Sequence, residues 1–228
     1  MLVDGNIYRV FGRDRSPTIY YLLGNGGRIR LYMPHIRALT LFGYRIMAFE
    51  YDPQVLAAGQ PGRLIQVADE ITSAIKSDMK GRQVAGLYGV SLGSLLAINM
   101  MARLGIKKTI LNTGPGSIVS VIWEVPAFEA TKQRYIKNGH DRGAVEKLWK
   151  HLEAADNADH LTGSQMLCLN SVDDKIITYA NVKATIGQLR KTVEIQETTI
   201  KELGHMRAII RNMFRLRTTI GFFRKRIR

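Results

Sequence analysis

Short apolar runs alternate with longer stretches of helical spacing along this chain, and that alternation leaves few architectures open. Ile7-Tyr8-Arg9-Val10-Phe11 and Thr18-Ile19-Tyr20-Tyr21-Leu22-Leu23 are rich in β-branched and aromatic residues and bounded by Gly, Asp or Pro, so each reads as a strand. Further strands are expected at Arg45 to Phe49, Val84 to Tyr88, Lys108 to Leu111, Gln165 to Asn170 and Val193 to Thr199. Between Gly27 and Gly43, Leu31, His35, Ala38, Leu39 and Phe42 recur at helical spacing. Arg63 to Met79 repeats the pattern with Ile65, Ala68, Ile71 and Ile75 on one face, and Ser94 to Leu104 is helix-compatible, with Gly105 as its C-cap. The regular succession of strand and helix predicts an α/β fold, a mostly parallel central sheet with helices on both faces. In such sheets the functional groups gather beyond the carboxyl ends of the strands.

One segment breaks the alternation. Residues 114–163 carry helical patterns, both tryptophans (Trp123 and Trp149) and no convincing strand, as expected of a helical insertion over the sheet. Its first part, Ser117-Ile118-Val119-Ser120-Val121-Ile122-Trp123, has two readings: the wall of an acyl pocket in a lid, or the seam that packs the insertion onto the sheet.

A chain of 228 residues with 46% hydrophobic content can bury a full core, and residues 1–228 are expected to form a single domain. The lone cysteine, Cys168, lies in the apolar run Met166 to Leu169 and reads as a small core residue. No apolar leader opens the sequence and no run is long enough to span a bilayer, so a cytoplasmic location is expected. The formal charge of +14 is a statement about steering and anionic partners rather than fold.

Gly89-Val90-Ser91-Leu92-Gly93 falls where an apolar strand meets a helix-forming run. A nucleophilic serine on so tight a turn needs small neighbours, because its backbone is strained and passes close to other chain segments. The helix that follows presents its N-terminus to developing negative charge. A serine hydroxyl also needs a base, and the base needs an orienting group. After the strand at 165–170 comes Ser171-Val172-Asp173-Asp174-Lys175-Ile176-Ile177, and after the strand ending near Thr199 comes Lys201-Glu202-Leu203-Gly204-His205.

These motifs, in the order serine, acid, histidine, each after a strand, resemble the α/β-hydrolase superfamily of esterase- and lipase-like serine hydrolases. The resemblance extends over nearly the whole chain. It implies a nucleophile elbow at Ser91, a base at His205, and Asp174 as the acid, with Asp173 the alternative one residue out of phase. It implies an oxyanion hole from the backbone N–H groups of Leu92 and of Asn25, or Gly26 in its place, in Leu23-Gly24-Asn25-Gly26-Gly27, where Leu23 stands in the position of a frequent histidine. It also puts the helical insertion between the strands that the family counts as six and seven. The implied activity is cleavage of a carboxylic ester or related acyl bond (carboxylesterase, thioesterase or lipase-like) through an acyl-enzyme, with no cofactor. The partner would be a small-molecule acyl substrate, anionic if the positive field selects it.

Other features have plainer readings. His140 follows Gly139 as His205 follows Gly204, but it precedes the acid and falls in the insertion, as a surface-loop residue would. His35, His151 and His160 show no metal-ligand spacing, and Gly24 to Gly27 lack the lysine of a phosphate loop. From Met206 onward, Met206, Ile209, Ile210, Met213 and Phe214 read as the docking stripe of a last helix, with Arg207, Arg211 and Arg215 on a solvated face. Residues 218–228 then form a basic C-terminal tail, in which Phe222 and Phe223 mixed with arginines offer peripheral contact with an anionic membrane. The competing class is a non-catalytic basic protein that binds an anionic membrane surface or nucleic acid on a vestigial scaffold, although two adjacent phenylalanines are thin support for nucleic acid.

Overall fold

The structure, a computed structural model, describes residues 7–225. Residues 1–6, the start of the segment expected to hold no leader, and 226–228, the end of the basic tail, lie outside the described residues. The elements are β1 (Ile7–Phe11), β2 (Thr18–Leu22), α1 (Ile29–Leu41), β3 (Arg45–Glu50), α2 (Gln54–Ala57), α3 (Pro61–Asp78), β4 (Val84–Val90), α4 (Leu92–Leu104) and β5 (Lys108–Asn112). They continue with α5 (Ile118–Glu124), α6 (Glu129–Lys137), α7 (Arg142–Trp149), β6 (Ser164–Ser171), α8 (Tyr179–Leu189), β7 (Val193–Ile200), α9 (His205–Met213) and α10 (Leu216–Arg224).

Among the described residues, seven strands form one sheet in the order β1-β3-β2-β4-β5-β6-β7, all parallel except β1, which runs antiparallel to β3. Its central strands are apolar throughout because both faces are covered. Tyr20, Leu22, Met47, Phe49, Leu87, Leu111, Met166 and Cys168 point into the layer of α3, α4, α5 and α8. Ile19, Tyr21, Ile46, Ala48, Tyr88, Ile110, Leu167 and Leu169 point into the layer of α1, α9 and α10. Each fully buried aliphatic side chain of this kind contributes about 1.5–3 kcal/mol. From β2 the chain crosses to β3 on one side and later returns to place β4 on the other. That reversal opens a crevice between the carboxyl ends of β2 and β4.

The helical insertion occupies 114–163 between β5 and β6, the fifth and sixth strands of this seven-stranded sheet. The Trp149 indole donates to Pro61 O at 2.9 Å, and Asn138 donates to Ala58 and Gly59 carbonyls, so the insertion is clasped to α2 and α3.

Three expectations are corrected. On α1 the buried face is Ile29, Tyr32, His35, Ile36 and Leu39, while Leu31 and Phe42 are exposed; the docking seam is set by the larger aromatic and β-branched side chains. The last helix is two helices, and α9 docks through Ala208, Ile209, Asn212 and Met213 while Met206, Ile210 and Phe214 face outward. Much of the basic tail is α10, whose Phe222 and Phe223 are buried in the core and so withdrawn from any surface.

Candidate active site

Ser91 sits between β4 and α4 with φ 52° and ψ −118°. A non-glycine residue held there costs roughly 1–3 kcal/mol, so the surroundings must enforce it. Ser91 N donates to Asn112 O at 2.9 Å, and Ser91 O accepts from Ser94 N at 2.8 Å. The flanking glycines explain themselves by contact. A Cβ on Gly93 would lie 2.2 Å from Leu22 O, and one on Gly89 would lie 2.4 Å from Gly93 O. A Cβ on Gly24 would stand 3.2 Å from Ser91 Cβ, so the turn after β2 rests against the serine itself.

His205, the first residue of α9, has Nε2 3.0 Å from Ser91 Oγ and Nδ1 2.7 Å from Asp174 Oδ2. The other oxygen of the buried Asp174 carboxylate accepts from Ile176 N at 2.8 Å and Ile177 N at 3.0 Å. Those bonds fix the carboxylate plane toward the imidazole, which fits an orienting acid. Asp173 does something else: its Oδ2 accepts from Glu202 N at 2.6 Å, tethering the loop that carries His205. Ser171 Oγ donates to Leu203 O in the same loop.

Asn25 and Leu92 line one cavity with Ser91, and among the described residues their backbone N–H groups have no acceptor. Free N–H groups beside a serine hydroxyl can receive a developing oxyanion. The cavity is about 40 Å³, and Leu56, Leu95, Ile118, Val121, Phe128 and Ile177 make it apolar. Within the Ser117–Trp123 stretch, Ile118 and Val121 line this cavity, and Val119 and Ile122 are buried in the core.

Sequence reasoning missed two clamps around this site. Asn212 of α9 donates to Asn112 Oδ1 at 3.0 Å and Leu169 O at 3.1 Å, and Asn112 donates to Tyr88 Oη and to Ile209 O. Glu153 Oε1 accepts from Ser117 Oγ and from the N–H groups of Ile118 and Val119 at the start of α5, and burial pushes its pKa up to about 7. Neither residue belongs to a motif; a polar residue inside an apolar helical stripe, as Asn212 is, was the one signal available.

The remaining candidates lie apart from this chemistry. His35 is buried with Nδ1 2.9 Å from Tyr21 Oη, and burial lowers its pKa to about 4. His140 occupies the turn between α6 and α7. Cys168 is buried, which pushes its thiol pKa up. Among the described residues, no group of three or more His, Cys, Asp and Glu is placed to hold a metal, and no helix is long and apolar enough to cross a membrane.

No family model matches the sequence, and no curated protein matches it. Solved structures do. Est1E from Butyrivibrio proteoclasticus superposes with a TM-score of 0.68 at 15% identity, covering 98% of this chain and 96% of that one. A puromycin-hydrolyzing peptidase of Mycobacterium tuberculosis gives a TM-score of 0.76 at 15% identity over 98% of this chain. An acylaminoacyl peptidase of Pyrococcus horikoshii gives 0.71 at 13% identity over 97% of it. This chain has the α/β-hydrolase fold. It spans about two fifths of the length of the two peptidases, 38% and 39%, and nearly all of Est1E. Within the α/β-hydrolase fold, Ser91 lies at the reversal of strand order between β2 and β4.

Proposed function

We propose that the chain is a serine hydrolase of carboxylic esters or related acyl bonds, with Ser91 as nucleophile, His205 as base and Asp174 as the orienting acid. The observation that carries this reading is the unbroken relay Ser91 Oγ–His205–Asp174 at 3.0 and 2.7 Å. His205 Nε2 takes the hydroxyl proton as Ser91 Oγ bonds to the acyl carbon, while Asp174 accepts from Nδ1–H and stabilises the imidazolium. The N–H groups of Asn25 and Leu92 hold the oxyanion. As the tetrahedral intermediate collapses, His205 protonates the leaving group; water activated by the same histidine then releases the acid.

The small apolar cavity beside Ser91 favours a short acyl group, so acetyl and propionyl esters are the first substrates to test. The similar structures include esterases, lipases and peptidases, and the fold hosts all of these chemistries.

The test is fluorophosphonate labelling read by intact mass and peptide mapping. Stoichiometric modification at Ser91 is expected, absent in Ser91→Ala. Labelling should be slower on the order of a thousandfold or more in His205→Ala and Asp174→Asn. Folded protein that takes up no label would return the non-catalytic binding reading to first place.

A further inference from the structure

Among the described residues, the outer face of α9 has no packing partner. Met206, Ile210 and Phe214 are 60%, 52% and 69% exposed, and their spacing of four puts them in one row about 12 Å long. Single exposed apolar residues need no explanation, but an aligned row does. Exposed Arg207 and Arg211 flank the row and exposed Arg217 follows it; among the described residues none of the three has an ion-pair partner. The last acidic residue in the sequence is Glu202, before the helix begins, and the whole chain carries +14.

We propose that this face docks the protein on an anionic lipid membrane. A bilayer interface supplies both halves of what the helix lacks: acyl chains at the depth of the Met206, Ile210 and Phe214 tips, and phosphates at the depth of the guanidinium groups. Each arginine near such a surface strengthens binding about fivefold, and salt screens the gain. A protein partner would have to match the apolar row with several carboxylates of its own, whereas an anionic membrane presents that combination everywhere. His205 heads α9, so docking would set the rim of the Ser91 cleft at the lipid surface. The inference goes beyond the hydrolase reading, because binding requires neither Ser91 nor turnover.

The experiment is co-flotation with vesicles of phosphatidylcholine alone or doped with phosphatidylglycerol, at low and high salt, with oligomeric state measured by light scattering. Wild type and Ser91→Ala are expected to float equally with the phosphatidylglycerol vesicles, to stay behind with phosphatidylcholine, and to dissociate as salt rises. Ile210→Ser/Phe214→Ser and Arg207→Gln/Arg211→Gln should each weaken binding on the order of tenfold or more. Their exposed positions leave the core intact, which circular dichroism checks. Leu41→Ser, at an 87% exposed apolar site at the far end of α1, is the control and should bind as wild type. Wild type that ignores phosphatidylglycerol, or stripe variants that bind undiminished, would overturn the proposal. So would a stable dimer that the Ile210→Ser/Phe214→Ser variant splits, because a second copy would then be what covers the face.

Discussion

The two elements that flank Ser91 are fastened by different chemistry. Helix α9, which carries His205, is tied to β5 and β6 by neutral amides: Asn212 and Asn112 are both fully buried and bond to each other and to the carbonyls of Leu169 and Ile209. Helix α5, which supplies Ile118 and Val121 to the cavity, is held at its start by the Glu153 carboxyl, a titratable group with a pKa raised to about 7. Amides give directional bonds that do not change with pH. A partly buried carboxyl gives stronger bonds when ionised but carries a desolvation cost in that state. The position of His205 is therefore built to be insensitive to pH, while the apolar wall of the cavity beside Ser91 is not.

The sharpest break in this contrast is Asn112→Leu. It removes the clamp on the α9 side: the Asn212 amide keeps only Leu169 O, and Tyr88 Oη and the Ile209 carbonyl lose the amide donor they share, at roughly 1–3 kcal/mol in all. Urea unfolding should show a loss of up to about 3 kcal/mol at pH 5 and pH 8 alike. Because His205 starts the helix that the clamp positions, fluorophosphonate labelling of the folded variant should slow on the order of tenfold or more. A variant as labile as expected but labelled at the wild-type rate would mean that the clamp serves stability and not the geometry of His205.

The same contrast shows what could be read from the sequence. Strand order in the chain, the glycines around Ser91 and the placement of Asp174 and His205 after strands were legible because each obeys a local rule of spacing or turn chemistry. The docking phase of α9 was not. Counting apolar residues admits Met206, Ile210 and Phe214 to the stripe and leaves out Asn212, yet the buried seam contains Asn212 and excludes those three. A buried polar residue is recognisable only once its partners, here on β5 and β6, are in place. Glu153 was hidden for the same reason, since the N–H groups it receives lie more than thirty residues earlier in the chain. Phe222 and Phe223 read as a surface feature because basic neighbours surround them, whereas α10 turns both into the core.

On the α5 side the handle is pH. Burial, with some help from Asp156, raises the Glu153 pKa from 4.5 to about 7, so between these values the folded protein keeps a proton that the unfolded chain has lost. Stability from this group is therefore fully present below pH 4.5, falls as pH rises toward 7, and levels off above it, by up to about 3 kcal/mol. Glu153→Gln keeps an acceptor oxygen and removes the titration. Urea unfolding of both proteins at pH 5 and pH 8 isolates the effect in their difference. The variant should gain on wild type by about 1–3 kcal/mol at the higher pH. An unchanged difference between the two pH values would place the Glu153 pKa near its ordinary value and dissolve the contrast between the two walls.

The smallest effect is expected where the α9 side does use a charge. Asp173 is exposed, and what it gives the His205 loop is one acceptor for Glu202 N at 2.6 Å, a bond whose contribution solvent screens. Asp173→Asn retains an oxygen for that N–H. Labelling at Ser91 should change by less than about twofold, with stability lowered by no more than about 0.5 kcal/mol. Asp173→Ala removes the acceptor as well and should slow labelling by about threefold, through looser positioning of the loop. If Asp173→Asn instead matched the collapse expected of Asp174→Asn, the orienting carboxylate in solution would be Asp173. The bonds from Ile176 and Ile177 to Asp174 would then serve only the turn that precedes α8.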